Sequence, residues 1–364
     1  MVSAYIIGRR LSMKEENFIL ASLKCLKKEP LPKGMNSREL VARAVEFRDP
    51  PRLPYYFLFH PNATDISLVG PLSAAASRPT KLQPGARYTD DWGVTWEVTG
   101  RNWDHAVCYP LSDLSNLDHY KFPDYVKEIK TLGFLSKLGN LAGKYILAPN
   151  PINLFERARS LMGFEEMRVA PYTQPGGLRK LLDKLTEMTI ETIQAYHSVG
   201  GFHGYESMED WGLQNRLQMK IDTFREFYKP YYKRIIDACH ACRMHYFWHN
   251  CGFIVEMFPD LIEIGVDVLQ LDQPKLMGHE NLISWLGVKI CMWNTVDIQW
   301  STSENVSNDE IRQEVMDMLR IYDVRKHQGG FIAKHYPAPW DIHLSPERQQ
   351  LIYDAFMQSG YCSL

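Results

Sequence analysis

His249 and Cys251 are the residues of this chain whose types and spacing bear most directly on chemistry. They end the apolar run Met244-His245-Tyr246-Phe247-Trp248 and precede the helix-like Ile254-Val255-Glu256-Met257-Phe258. On an extended backbone, side chains two apart leave the same face, so this His and Cys can both reach one ion, and Gly252 lets the chain turn sharply after them. Imidazole and thiolate are both zinc ligands, but a tetrahedral site needs at least a third donor from elsewhere. The same pair, read alone, also describes a buried His and Cys closing a strand. Cys239 and Cys242 have the spacing of a redox pair, yet they sit in a helical pattern over 231–242 with no strand immediately before it, which argues against thiol exchange.

The elements that must position these residues alternate. Helical periodicity over 181–197 leads to a strand-like stretch at 200–206, and a helix over 223–242 leads to the strand that ends at His249. A helix at 254–264, strand 266–271, helix 280–286, strand 288–293, helix 309–326, strand 330–333 and helix 346–357 follow. Strands separated each by one helix, with no Gly-x-Gly-x-x-Gly after any of them, predict an α/β fold of the (β/α)8 TIM-barrel type rather than a dinucleotide-binding sheet. Stretches 53–59 and 145–148 supply further strands. Residues 1–50 read as an N-terminal helical extension and 51–364 as the barrel. An irregular insertion at about 70–125 carries a small β-hairpin built from 94–98 and 106–109.

Bulk composition sets bounds on partners and location. Lys plus Arg number 41 against 43 for Asp plus Glu, so no basic surplus points to nucleic acid or an anionic membrane. The apolar stretch at the N-terminus is too short and too soon charged for a signal peptide, and no window is apolar enough to span a bilayer, so a cytoplasmic location is expected. Seven cysteines without regular spacing fit reduced thiols. Pairing of two barrels as a homodimer is compatible with these properties and has no specific sequence signal.

In a barrel, polar residues at strand C-termini carry the chemistry. Those ends offer Tyr205 and Glu206, His249 and Cys251, Asp272 and Gln273, Asn294 and Asp297, and Lys334 and His335. His335, ending the last strand, is expected to face His249 and Cys251 across the mouth and complete the metal site, with Glu206 as the other candidate ligand; an exposed His in a Pro-rich loop and a solvated carboxylate are the alternatives. Glu206 and Asp210 are the catalytic candidates, although Asp210 is equally a helix cap. Tyr205, Trp211, Trp248, Asn294 and Tyr336 are expected to bind substrate, the aromatic ones by sandwiching a ring, and Asp91 to act from a lid.

From about 153 to 356 the chain resembles the uroporphyrinogen decarboxylase superfamily, and more closely its corrinoid-dependent zinc methyltransferase branch. The matching stretches include Leu154-Phe155-Glu156-Arg157-Ala158, Glu209-Asp210-Trp211-Gly212, Lys229-Pro230-Tyr231-Tyr232, His249-Asn250-Cys251-Gly252 and Gly329-Gly330-Phe331-Ile332. Upstream, Tyr88-Thr89-Asp90-Asp91-Trp92-Gly93 and Tyr120-Lys121-Phe122-Pro123 are similar to the same branch. The decarboxylases have an early arginine motif that holds substrate carboxylates, and here 53–64 contains no arginine after Arg52. Conversely, the His-x-Cys-Gly tetrad is the methyltransferase signature. One departure is that the third zinc ligand of the coenzyme-loading enzymes is a Cys near the end of the last strand, where this chain has Lys334-His335-Tyr336. The resemblance implies a zinc ion, a corrinoid carried by a partner protein, and a small methyl donor or acceptor. A His, His and Cys set would make the ion more Lewis acidic than one with two thiolates. That favours removal of a methyl group from an ether, a methoxylated aromatic above all, over methylation of a thiol.

Overall fold

The computed structural model describes residues 30–58, 60, 63–71, 82–99 and 104–359. The elements used below are helices α1 (Ser37–Val45), α2 (Gly133–Leu141), α3 (Leu154–Met162), α4 (Phe164–Thr173), α5 (Pro175–Val199), α6 (Lys229–Ala241), α7 (Phe258–Ile264), α8 (His279–Leu286), α9 (Asn308–Ile321) and α10 (Pro346–Ser359). Strands β1 (Tyr55–Tyr56), β2 (Ile66–Leu68), β6 (Tyr145–Pro149), β7 (Gly204–Glu209), β8 (His245–Asn250), β9 (Val268–Leu271), β10 (Cys291–Asn294) and β11 (Phe331–Lys334) form one parallel sheet in the order β1-β11-β10-β9-β8-β7-β6-β2. At the seam between β1 and β2 the Asp65 amide donates to the Tyr55 carbonyl at 2.7 Å, which nearly closes the sheet into a barrel. Strands β3 (Arg87–Thr89), β4 (Thr95–Glu97) and β5 (His105–Cys108) form a separate antiparallel sheet in the expected insertion, a three-stranded unit where the sequence predicts a hairpin.

The two-residue period of each strand sorts its side chains between barrel interior and helical coat. Tyr56, Ile66, Tyr145, Leu147, Phe247, Val268, Cys291, Trp293 and Ile332 pack together inside, with Val41, Ala44 and Val45 of α1 against them at the N-terminal end. Alternate residues such as Tyr205, Tyr246, Trp248, Leu269 and Met292 pack outward under the helices in the larger core. The parity runs on to the strand ends and fixes what faces the mouth: Glu206, His249, Gln270 and Lys334 continue the inward rows.

Several boundaries move from those the sequence predicts. Strand β7 begins at Gly204 and ends at Glu209, because Gly200 and Gly201, with φ of 81° and 80°, turn the chain before pairing starts. Glu206 therefore lies within β7, with three strand residues beyond it. Strand β2 has no clear sequence signal: its three residues are too short for a period to show. In the expected N-terminal extension, the described part holds α1 as a plug under the barrel; residues 1–29 lie outside the described residues.

Candidate metal centre

His249 is carried inward by β8, and the loop after that strand brings Cys251 back to it. The Cys251 Sγ lies 3.6 Å from His249 Nε2, and Asp210 Oδ1, from the loop after β7, lies 3.6 Å from the same nitrogen. One donor atom of each residue falls within 4.8 Å of the other two. Zinc–sulfur and zinc–nitrogen bonds of about 2.3 and 2.0 Å at a tetrahedral angle put the two ligand atoms roughly 3.6 Å apart. The donor set therefore fits a zinc-sized ion.

The imidazole is turned for that use. His249 Nδ1 hydrogen-bonds to Gln270 Oε1, and Gln270 Nε2 donates to Asp272 Oδ1 at 2.7 Å. Since the Gln carbonyl only accepts, Nδ1 carries the proton and Nε2 presents its lone pair to Cys251 and Asp210, the arrangement in which a histidine binds metal. Without an ion the cluster favours protons: burial opposes a charged imidazole, but the Cys251 sulfur and the Asp210 carboxylate outweigh it and hold His249 well above its usual value. Burial also pushes the Cys251 thiol up to about 11, with His249 only partly offsetting it. A divalent cation would take the place of those protons.

The two loops that carry the donors are joined backbone to backbone. Gly212 N–H donates to the Cys251 carbonyl at 3.1 Å, and Phe253 N–H to the Leu213 carbonyl at 2.7 Å. A Cβ at Gly212 would lie 2.5 Å from the Gly252 carbonyl carbon, and one at Gly252, where φ is 78°, would lie 2.4 Å from that of Gly212. No side chain fits at either crossing point. Cys251 N–H also donates to Asp210 Oδ1 at 3.2 Å, and Gly252 N–H to Gln273 Oε1 at 2.7 Å. No helix follows Trp211-Gly212, so Asp210 joins the cluster instead of capping one.

Beneath the cluster lies a buried charged floor. Lys334, on β11, has its Nζ 4.0 Å from Asp272 Oδ1 and 4.8 Å from the centre of the Trp293 ring. Glu206 faces the same space; burial raises its pKa, and Lys334 and then His249 pull it back. Tyr336, two residues past Lys334, is 7% exposed, and its phenol is pushed up by burial and then by Asp272 and Cys251.

His335 does not join this group. Lys334 takes the inward place on β11, so the next side chain must point outward, where the His335 ring lies 4.3 Å from Phe57 and 5.9 Å from Tyr353 of α10. Asp210, not His335, is the third donor next to His249 and Cys251. The aromatic sandwich is also reduced. Tyr205 points into the coat, its hydroxyl 2.9 Å from Thr192 Oγ1 on α5; Trp211 stacks on Phe155 at 3.9 Å and Trp248 lies against Tyr232 at 4.4 Å. All three are core residues, which leaves Tyr336, just past the end of β11, as the aromatic candidate at the mouth; Trp293 packs in the barrel interior against Tyr56 and Phe247. Asn294 faces outward and accepts from Leu271 N–H at 3.0 Å, while Asp297 accepts the amides of Gln299 and Trp300 at a helix start. Asp91 is exposed in the β3–β4 turn, which its neighbour Asp90 organises through the Trp92 and Val94 amides. Arg52 is no substrate clamp: it is buried in a bidentate pair with Asp65 at 2.8 and 2.9 Å.

Sequence reasoning missed two supports. Gln270, a neutral residue within β9, has no ligand spacing to betray it. Glu209 accepts the first-turn amides of Phe155 and Glu156 at 3.0 and 3.1 Å, pinning α3 to the end of β7 next to Asp210. An acidic residue just before the ligand-bearing loop was its only trace.

Together these features define a (β/α)8 barrel whose C-terminal mouth holds a cluster of three residues, Asp210, His249 and Cys251, that could hold a metal ion. The chain belongs to the uroporphyrinogen decarboxylase (URO-D) family, whose model matches residues 151–335. A methyltransferase from Methanosarcina mazei superposes with a TM-score of 0.57 at 14% identity, covering 97% of this chain and all of that one (100%), and so shares its fold. A D-tagatose 3-epimerase-like protein (TM-score 0.41, 10% identity, 67% of this chain and 92% of that chain) shows only a general barrel likeness. No curated protein sequence matches the chain. Among the described residues, no helix is long and apolar enough to cross a membrane.

Proposed function

We propose that this protein is a zinc-assisted methyltransferase that moves a methyl group between a small substrate and the cobalt of a corrinoid carried by a partner protein. The observation that carries the reading is the Asp210, His249 and Cys251 cluster at the barrel mouth, with His249 oriented by Gln270. The family and the fold shared with the Methanosarcina methyltransferase support it. Bound zinc would supply Lewis acidity at the heteroatom that gains or loses the methyl group. Asp210, His249 and Cys251 would hold the ion; Gln270 fixes the His249 tautomer; Tyr336 would give the substrate an aromatic wall. Glu206, whose pKa is raised by burial, lies at the floor as a candidate proton donor to an oxygen left anionic by loss of its methyl group.

A methoxylated aromatic as methyl donor remains the first reading, supported by Tyr336 and by Glu206. A second has a specific observation in its favour. With Asp210 in place of a second imidazole, the site has two anionic donors, which neutralise a divalent ion and lessen its Lewis acidity, as suits a thiol acceptor. Purified protein should contain near-stoichiometric zinc, lost in Cys251→Ala. With free cob(I)alamin it should demethylate a methoxyarene, and with methylcobalamin a thiol acceptor would be methylated instead. Absence of zinc in fresh protein, or no transfer to or from any member of both panels, would end the proposal.

A further inference from the structure

Lys334 is a buried cation of the floor whose ammonium donors are not met by its neighbours among the described residues. Its side chain is 6% exposed, its ammonium makes no hydrogen bond among the described residues, and its nearest anion, Asp272, stands at 4.0 Å with Oδ1 already accepting from Gln270. An ammonium has three N–H donors, and removing it from water is costly unless they are met. Burial pulls the Lys334 pKa down, and Asp272, Glu206 and Cys251 only partly restore it. The ammonium thus has unmet donors at the point where the Trp293 ring lies under it at 4.8 Å and Tyr336 follows two residues along the chain. An acceptor bearing full charge, entering from the mouth, satisfies both the donors and the charge.

We infer that the Lys334 ammonium anchors an anionic oxygen, a carboxylate above all, on the small molecule whose reacting group lies at the Asp210, His249 and Cys251 cluster. The inference rests on the proposed reading of this mouth as the substrate site and names the class within it: acidic substrates, such as methoxybenzoates, in preference to neutral ethers of the same shape. Strand parity explains why the position suits the task, since the residue that faces the metal site from β11 is Lys334 and not His335.

Calorimetric titration tests it without relying on turnover. Wild-type protein should bind 3-methoxybenzoate at least tenfold more tightly than 3-methoxybenzyl alcohol. The preference should survive removal of metal by a chelator, because a carboxylate held by the ion would lose it. Lys334→Met, checked for wild-type melting and zinc content, should bind the two compounds alike. Equal affinities or no binding in the wild type, a preference that disappears with the metal, or a preference retained in Lys334→Met would each overturn the inference. Should Lys334→Met fail to fold, the wild-type comparison with and without metal decides alone. A lysine-dependent preference in protein that transfers no methyl group would sustain the anchor and sink the proposed function, and methyl transfer without the preference would do the reverse.

Discussion

Gln270→Leu isolates the orientation of His249 from the ligands themselves. The glutamine is 1% exposed and spends both ends of its amide, the oxygen on His249 Nδ1 and the nitrogen on Asp272 Oδ1. Leucine keeps approximately the volume and removes both bonds, so His249 loses the acceptor that fixes its tautomer while Asp210, His249 and Cys251 stay in place. Removing such an outer partner of a metal-bound histidine typically weakens binding about 10- to 100-fold, or about 1.4 to 2.7 kcal/mol. Two polar atoms lose partners at a cost of about 1 to 3 kcal/mol each when water cannot reach them. The mouth lies close above, so the lower end applies and a stability loss of about 2 kcal/mol is expected. Zinc affinity measured by competition with a chromogenic chelator, alongside urea unfolding of metal-free protein, separates the two effects. Gln270→Glu restores the acceptor and should recover zinc affinity. A Gln270→Leu protein that folds and binds zinc within about threefold of wild type would refute the tautomer argument.

Asp210→Asn keeps the shape of the third donor and the acceptor for Cys251 N–H but removes its charge; zinc affinity should fall at least about tenfold in the same competition assay. His335→Phe should leave zinc content unchanged, since that ring faces α10. The same variant tests a pH effect: burial, then His60, holds His335 well below its ordinary pKa. The unfolded chain therefore takes up a proton that the folded chain refuses, and stability falls as pH drops below the unfolded value of about 6.5. Relative to His335→Phe, wild type should lose about 1.2 kcal/mol between about pH 7 and 5.5, read by urea unfolding at each pH; parallel curves would contradict the burial of a neutral imidazole. Arg52→Ala strips Asp65 of its bidentate partner at the barrel seam and should cost about 3 to 5 kcal/mol in urea unfolding, without altering zinc content.

The alternation of helix and strand after residue 183 was enough to predict the barrel, because most strands there, such as β9 to β11, are short runs buried on both faces. The juxtaposition of His249 and Cys251 was legible from their closeness in sequence, although Cys251 lies just past the end of β8 and is returned to His249 by the loop rather than by the strand period. Parity at strand ends was not. Whether Lys334 or His335 faces inward depends on pairing register along β11, and a Lys-His-Tyr sequence fits either phase. The misplacement of β7 by a few residues likewise turned Tyr205 into a mouth residue, when its hydroxyl is held by α5. Trp211 and Trp248 illustrate a different limit, since large aromatic residues near strand ends serve a core as readily as a ligand. Asp210 was recognised as a candidate, but its place as third donor depends on the Gly212 and Gly252 contact, which two glycines 40 residues apart do not announce.

That contact also governs how the mouth can change. Because the backbones touch where no Cβ is tolerated, the segments bearing Asp210 and Cys251 move as one piece. Lengthening or swapping either segment alone would displace donors on both, so redesign of this centre must treat residues 210–213 and 251–253 as a single cassette. Specificity is then free to vary on the opposite side of the mouth, through β11 and the residues that follow it, without disturbing Asp210, His249 and Cys251.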